Sequence, residues 1–379
     1  MTANGRWALI VAALSLVGGL ATGYTFLLVV AGLLTLSVAL AALYVAWRPS
    51  LVASQHVSPP VVGAGELASA RVSVTNTGRR KSAPIVAADW IAGHQHSVAL
   101  PAVNAGETHV SLLTLPTDRR GHFEVGPLEI ERVDPLGFFR AATHRGSTSS
   151  LIVYPAVHHM SPLPTGHRRE FEGAAAEQPH EGGISFHSLR DYELGDDLRL
   201  VHWRSVAKTG TLMVRKNIIT SEPRLMIVLD TWSGSYGGDS FEDAVRIAAS
   251  LVQAGCSSHY PVMFRTTGGL AADAAASGEG RVAIMRILAG IQPSDADPGL
   301  NGVIRFAEGA EGVSLGAITG QPPAERTAGI SRVRPRFDMV TVVQVGEHFD
   351  RPPMRIPGAL TLNGADSAEV AARWKARFG

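Results

Sequence analysis

Two short stretches hold the residues whose types and spacing could do chemistry. The first, Leu189 to Lys216, reads LRDYELGDDLRLVHWRSVAKTGTLMVRK and offers Asp196, Asp197 and His202 as a candidate acid–base set. Its 27 positions from Arg190 onward carry ten charged residues, about twice the 18% share of the whole chain. A pair of carboxylates and an imidazole become an active site only inside a pocket that perturbs their pKa values. The second stretch is Asp230-Thr231-Trp232-Ser233-Gly234-Ser235, which follows the apolar run Leu225 to Leu229. An unbroken apolar run of this length suits a buried parallel strand, and ligands of open α/β sheets gather where such strands end.

Sharper signatures are absent. There is no His-Glu-x-x-His, and Ala207 precedes Lys208 where a phosphate loop needs glycine. Gly-x-Gly-x-x-Ala occurs at Gly63 and Gly278, outside the strand–turn–helix setting that dinucleotide binding requires. His158, His159, His167 and His180 match no familiar metal-ligand spacing and read as solvated loop histidines. A net charge of +1 without a basic stripe gives no pull toward nucleic acid. The single cysteine, Cys256, excludes an internal disulfide framework.

These residues need elements to position them. Trp7 to Trp47 contains 41 residues without Asp, Glu, Lys, Arg or His. One helix of that length would reach ~60 Å, twice the ~30 Å hydrocarbon core, so a hairpin of two spans is expected, Trp7–Leu20 and Phe26–Trp47. Arg6 and Arg48 flank it, and the positive-inside rule puts both ends in the cytoplasm, giving a two-pass inner-membrane protein. From Leu51 to Tyr154 polar and apolar residues alternate in short segments between turn residues, as in Arg71–Thr75, His109–Leu115 and Phe123–Val133. That pattern predicts an antiparallel, Ig-like β-sandwich. Ser161–Gly183 has the composition of a mobile connection with few fixed contacts.

Within the charged stretch, Asp197 is positioned to cap a helix over 198–207, ended by Lys208-Thr209-Gly210, with a short strand over Leu212–Arg215. Strands at 225–229, 261–264, 313–319, 339–345 and 359–362 alternate with helices at 241–252, 281–288 and 367–377. The last opens with the capping box Asp366-Ser367-Ala368-Glu369. Alternation of this kind predicts a doubly wound α/β domain. The expected organisation is a transmembrane hairpin (1–48), an Ig-like domain (49–156), a linker with the charged segment (157–222) and the α/β domain (223–379).

The charged segment resembles the bacterial membrane proteins grouped as domain of unknown function 58. Arg190-Asp191-Tyr192, Gly195-Asp196-Asp197, Arg199, Trp203, Lys208 and Leu212–Arg215 carry the likeness, with Asp191 where glutamate is usual. Arg119-Arg120-Gly121, Gly126-Pro127 and Asp134-Pro135-Leu136-Gly137-Phe138-Phe139-Arg140 resemble the end of the family's β domain. The resemblance implies a von Willebrand factor A-like α/β domain and a MoxR-type AAA+ ATPase as partner, beside the lipid bilayer and other membrane proteins of the same operon. A von Willebrand-type Mg²⁺ site would need Asp-x-Ser-x-Ser, to assemble an oxygen shell. Here Trp232 and Gly234 hold the serine positions, Ser233 and Ser235 lie one residue further on, and Gly320 follows Thr319 where a second acid is wanted. No cofactor is therefore expected, and Asp230, Ser233 and Ser235 are weak candidates.

The charged segment has three possible uses: a structural staple, a docking surface, or an active site. The expectation adopted is a non-catalytic membrane-anchored adaptor that presents its cytoplasmic von Willebrand factor A-like domain to the ATPase, with Arg190, Tyr192, Gly195, Asp196, Asp197, Arg199, His202, Trp203 and Arg215 of the charged segment serving docking or structure. A metal-dependent hydrolase built on Asp230, or on Asp196, Asp197 and His202, is the alternative.

Overall fold

A computed structural model of the chain describes residues 1–46, 51–82, 84–91, 94–145, 148–165, 185–193, 201–218, 223–308, 313–347 and 353–379. Two apolar helices come first, α1 (Ala3–Thr22) and α2 (Thr25–Ala46), each long enough to cross a bilayer. They extend the expected spans at the N-terminal ends, and Trp47 lies outside the described residues. Thr2 caps α1 by accepting the Gly5 N–H at 3.2 Å, and Gly23 ends it by donating to the Gly19 carbonyl at 2.9 Å.

The chain forms two compact units, Met1–Ala156 with Met285–Ile291, and Val157–Ile284 with Gln292–Gly379. In the first, the strands are β1 (Leu51–Ser58), β2 (Val61–Gly63), β3 (Ala68–Asn76), β4 (Ile85–Ile91), β5 (His94–Leu100), β6 (Thr108–Leu115), β7 (Gly121–Val125), β8 (Leu128–Val133), β9 (Arg140–Arg145) and β10 (Ser149–Tyr154). They pair in three sheets, β1-β3-β6, β5-β4-β8-β9 and β2-β10-β7. Strand β1 alternates buried and exposed residues along its whole length, which places one face on a core. Leu51, Ala53, Val72 and Val74 of the first sheet cluster with Ile85, Leu100 and Leu128 of the second. Val57, Ala68, Ala70 and Leu115 cluster with Val62, Val125, Leu151 and Val153 of the third. The antiparallel expectation needs one correction, because β2 runs parallel to β10.

The second unit contains the hairpin-like pair β11 (Ser185–Asp191) and β12 (Met213–Ile218), with α3 (Trp203–Thr209) between them. Its main sheet is built from β13 (Arg224–Leu229), β14 (Val262–Thr266), β15 (Ala271–Ala274), β16 (Val313–Thr319), β17 (Met339–Val345) and β18 (Leu360–Gly364). Their order is β15-β14-β13-β16-β17-β18, parallel except for the edge strand β15. Two longer helices accompany it, α4 (Ser240–Ser257) and α7 (Ser367–Phe378), with the short α6 (Ala328–Val333), while α5 (Arg281–Gly290) starts in this unit and from Met285 on belongs to the first. On one face, Met226, Val228, Leu315, Ala317, Val340 and Val342 cluster with Leu300, Val303, Ile330 and Val333. The opposite face meets α4. Burying a Leu, Ile or Val side chain there contributes roughly 1.5–3 kcal/mol.

The expected connection at 161–183 is corrected over its first residues, since Leu163 and Thr165 are buried. Leu163 lies over Gly316 of central strand β16, where a Cβ would stand 2.7 Å from its Cδ2. Trp374 of α7, fully buried, donates its indole N–H to the Ser161 carbonyl at 2.9 Å, because a buried Trp needs an acceptor. His158 is corrected as well. Its Nε2 is buried without a hydrogen-bond partner, while its backbone N–H donates to Ser250 Oγ at 2.8 Å. His159 is exposed, and His167 and His180 lie outside the described residues.

Candidate functional site

Strand β13 lies at the centre of the parallel sheet and every residue from Leu225 onward is buried. It delivers Asp230, 0% exposed, to the sheet's C-terminal edge. After β13 the chain winds outward through β14 and β15, then returns to lay β16 on the other side. The ends of β13 and β16 therefore form the switch point of the sheet, the usual ligand position in such folds.

Asp230 is ringed by donors. Its Oδ1 accepts the Trp232 N–H at 3.1 Å and the Thr267 hydroxyl at 3.4 Å. Its Oδ2 accepts the hydroxyls of Ser235 at 2.6 Å and Thr319 at 2.7 Å. Burial pushes this carboxyl above the ordinary carboxylate range, and the repulsion of Asp297 adds to that, while the bonds from Ser235, Thr319 and Trp232 pull it down. Tyr236 donates its hydroxyl to the Asp230 carbonyl at 2.6 Å. Burial, reinforced by the charges of Asp230 and Asp297, raises the phenol well above its usual value and keeps it a donor.

Asp297 is the second carboxylate, and sequence reasoning missed it. It sits on the loop after α5, with no strand end or motif to mark it. The loop is aligned by Ser294, whose N–H donates to the Thr231 carbonyl at 2.8 Å. Asp297 accepts the Thr231 hydroxyl at 2.5 Å and the Gly299 N–H at 2.8 Å. Its carbonyl takes Arg326 Nη1 at 2.7 Å, and the same guanidinium lies 4.0 Å from the Trp232 ring centroid. The structure thus brings Ser235 to Asp230 but turns Ser233 away, to a hydrogen bond with Asp295.

This donor set does not suit a divalent cation. Both oxygens of Asp230 and both of Asp297 accept protein donors, whereas a cation needs free lone pairs on several oxygens converging on it. Among the described residues no three His, Cys, Asp or Glu side chains converge. Gly320 is also sterically committed: Gln321 N–H donates to the Ser235 carbonyl at 2.6 Å, and a Cβ on Gly320 would stand 2.0 Å from that oxygen. Beside this closed cluster opens a cleft of about 480 Å³, lined by Trp232, Tyr236, Gly237, Ser240, Gln321 and Glu347 among others.

The charged segment is a separate surface of the same unit. Arg190 in β11 stands opposite Val214, and Arg215 in β12 opposite Leu189. Tyr192 donates its N–H to the Leu212 carbonyl and His202 its N–H to Met213, both at 2.9 Å, which ties the excursion to β12. Gly195, Asp196, Asp197 and Arg199 lie outside the described residues, so the expected Asp197 cap does too. Helix α3 begins at Trp203, later than the expected 198. His202 takes the cap position, but its Nδ1 pairs with Ser205 Oγ at 2.7 Å rather than with a first-turn N–H. Gly210 closes the helix as expected, at φ +72° with its N–H on the Val206 carbonyl. No residue of α3 is buried, and Trp203 is 65% exposed.

Comparison with known proteins bears on this region. Uncharacterized protein YeaD of Bacillus subtilis (strain 168) is 24% identical over 136 residues, 35% of this chain and 33% of that protein. The alignment thus spans about a third of the relative's length. Among solved structures, the CARDB domain of the PF1109 protein from Pyrococcus furiosus, in complex with di-metal ions, is 19% identical. That likeness covers 28% of this chain and 93% of that one, with a TM-score of 0.22. The C-terminal domain of wzt is 14% identical over 29% and 82%, with a TM-score of 0.23. At these TM-scores neither likeness carries an argument. Residues 188–304, which run from the charged segment through the Asp230 cluster, match the family described as Protein of unknown function DUF58, as the motifs in the sequence implied.

Proposed function

We propose that the protein is a membrane-anchored, non-catalytic adaptor whose charged segment docks a protein partner. The observation that carries the reading is Trp203. It occupies the first turn of a helix with no buried residue, which favours docking over a staple. A tryptophan left in water forgoes ~1.5–3 kcal/mol of burial, and Trp is among the favoured anchors of interfaces. The exposed Arg204 beside it offers a second anchor type. The family resemblance supplies the kind of partner, a MoxR-type AAA+ ATPase.

The remaining parts of the reading fit this role. The hairpin anchors the chain, and Arg6 and Arg48 favour cytoplasmic placement of the two units. The α/β unit is read as von Willebrand factor A-like, and the paired sheets of the first unit as Ig-like. Commitment of both Asp230 oxygens to internal donors supports a structural use of that carboxylate over the hydrolase alternative.

The test is an affinity capture from native membranes, comparing the intact chain with Trp203→Ala and Trp203→Ala/Arg204→Ala, alongside thermal melts. An exposed position predicts unchanged melting and loss of an AAA+ ATPase from the captured set. Retention of that ATPase by the folded double variant, or its absence from both captures, would remove the docking reading.

A further inference from the structure

The loop Asp134–Phe139 of the first unit has a feature that neither the cleft nor α3 explains. Asp134, 3% exposed, folds the loop around itself. Its carboxylate accepts the Leu136 N–H at 2.9 Å and the Phe139 N–H at 2.5 Å, and its carbonyl accepts the Gly137 N–H at 2.9 Å. The loop is therefore fixed, yet it turns Leu136 outward, 55% exposed, beside Val133 at 45%, while Phe138 and Phe139 are half-buried.

The same loop clasps the start of α1. The Thr2 N–H donates to the Phe138 carbonyl at 2.9 Å, and the Thr2 hydroxyl to the Gly137 carbonyl at 2.5 Å. Gly5 packs so close that a Cβ would stand 2.4 Å from the Phe138 oxygen. Arg6 and the 66% exposed Trp7 come directly after it, the residue types that mark a membrane–water interface. The 20 residues of α1 span ~30 Å, the thickness of the hydrocarbon core. A loop bonded to the residue that precedes such a helix is held at headgroup depth.

We propose that the Asp134–Phe139 loop is a membrane-contacting element, with Leu136 and Val133 seated in the lipid interface beside the entry of α1. The occupant is lipid because the clasp makes the apolar tip continuous with the end of a spanning helix. The proposal rests on the reading of α1 and α2 as a membrane hairpin.

The experiment uses the full chain in phosphatidylcholine–phosphatidylglycerol vesicles, in a Cys256→Ser background, with an environment-sensitive fluorophore on one introduced cysteine. Leu136→Cys is compared with Leu33→Cys on α2 and with Leu270→Cys in the β14–β15 turn, all exposed leucines. The expected result at 136 is blue-shifted emission, strong quenching by lipids carrying a shallow nitroxide, and little quenching by aqueous iodide. Emission at 136 that matches 270 and is quenched by iodide, while 33 is quenched from within the lipid, would overturn the proposal alone. Iodide quenching at 33 as well would show that the hairpin reading has failed and takes the proposal with it.

Discussion

Asp230 shows how a residue legible in sequence can be put to a use that sequence does not reveal. A carboxylate at the end of an apolar strand was visible as a ligand position, and the structure fills that position with four donors of its own. Three of the donors, Thr267, Ser235 and Thr319, come from three different segments, which no local pattern connects. Because burial raises the folded-state pKa above the unfolded one, the native chain holds this proton more tightly. That contribution is complete below the unfolded value, about 3.9, and is lost as pH rises through the folded value. Asp230→Asn should therefore flatten the pH dependence of the unfolding free energy above about 3.9, where urea melts across the acid range would detect it. A slope equal to that of the parent chain would refute this account. Gly320 makes the closure hard to reverse, since an acid placed there would collide with the Ser235 carbonyl before it could reach any ion.

At the scale of elements, legibility tracks the strength of the local pattern. Strands β16 and β17 fall where the apolar runs predicted them, residue for residue, because both faces of a central parallel strand are buried. Edge strand β15, Ala-Ala-Asp-Ala, escaped notice because alanine and aspartate carry no strand signal. Helix α7 was announced by its box, and Asp366 Oδ1 does accept the Glu369 N–H at 2.8 Å. Arg120 was visible only as part of a motif. It donates from Nη1 to the carbonyls of Leu288, Ala289 and Ile291 at the end of α5, at 2.7, 3.2 and 2.9 Å. A cation there satisfies carbonyls that the helix leaves orphaned and complements its dipole. Arg120→Ala should cost ~1.5–3 kcal/mol, the range for charge-assisted bonds, with Arg120→Lys recovering part of it. Hydrogen exchange should quicken in the last turn of α5, and unchanged protection there would refute the capping role.

For the whole molecule, the hairpin and the sheets of the first unit are separable in energy. Among the described residues, neither hydrophobic cluster of those sheets contains a hairpin residue. A chain lacking residues 1–48 should keep its sheet signal in circular dichroism and lose no more than ~1–2 kcal/mol, the worth of the Thr2 bonds. Collapse of that signal would show the hairpin to be part of the fold itself.

The buried pairing of Trp374 with Ser161 has a consequence in time. Synthesis runs from the N-terminus, so the apolar hairpin and strands β1–β10 leave the ribosome before the α/β unit, and domains fold as units while the chain grows. The α/β unit cannot keep to that schedule. Ser161 waits for Trp374, 213 residues further on, and the sheet face under α7 stays open until α7 itself has been made. During that interval only the part of the sheet that α7 covers, at β17 and β18, stays bare, and the order of translation makes α7 the element that ends its exposure.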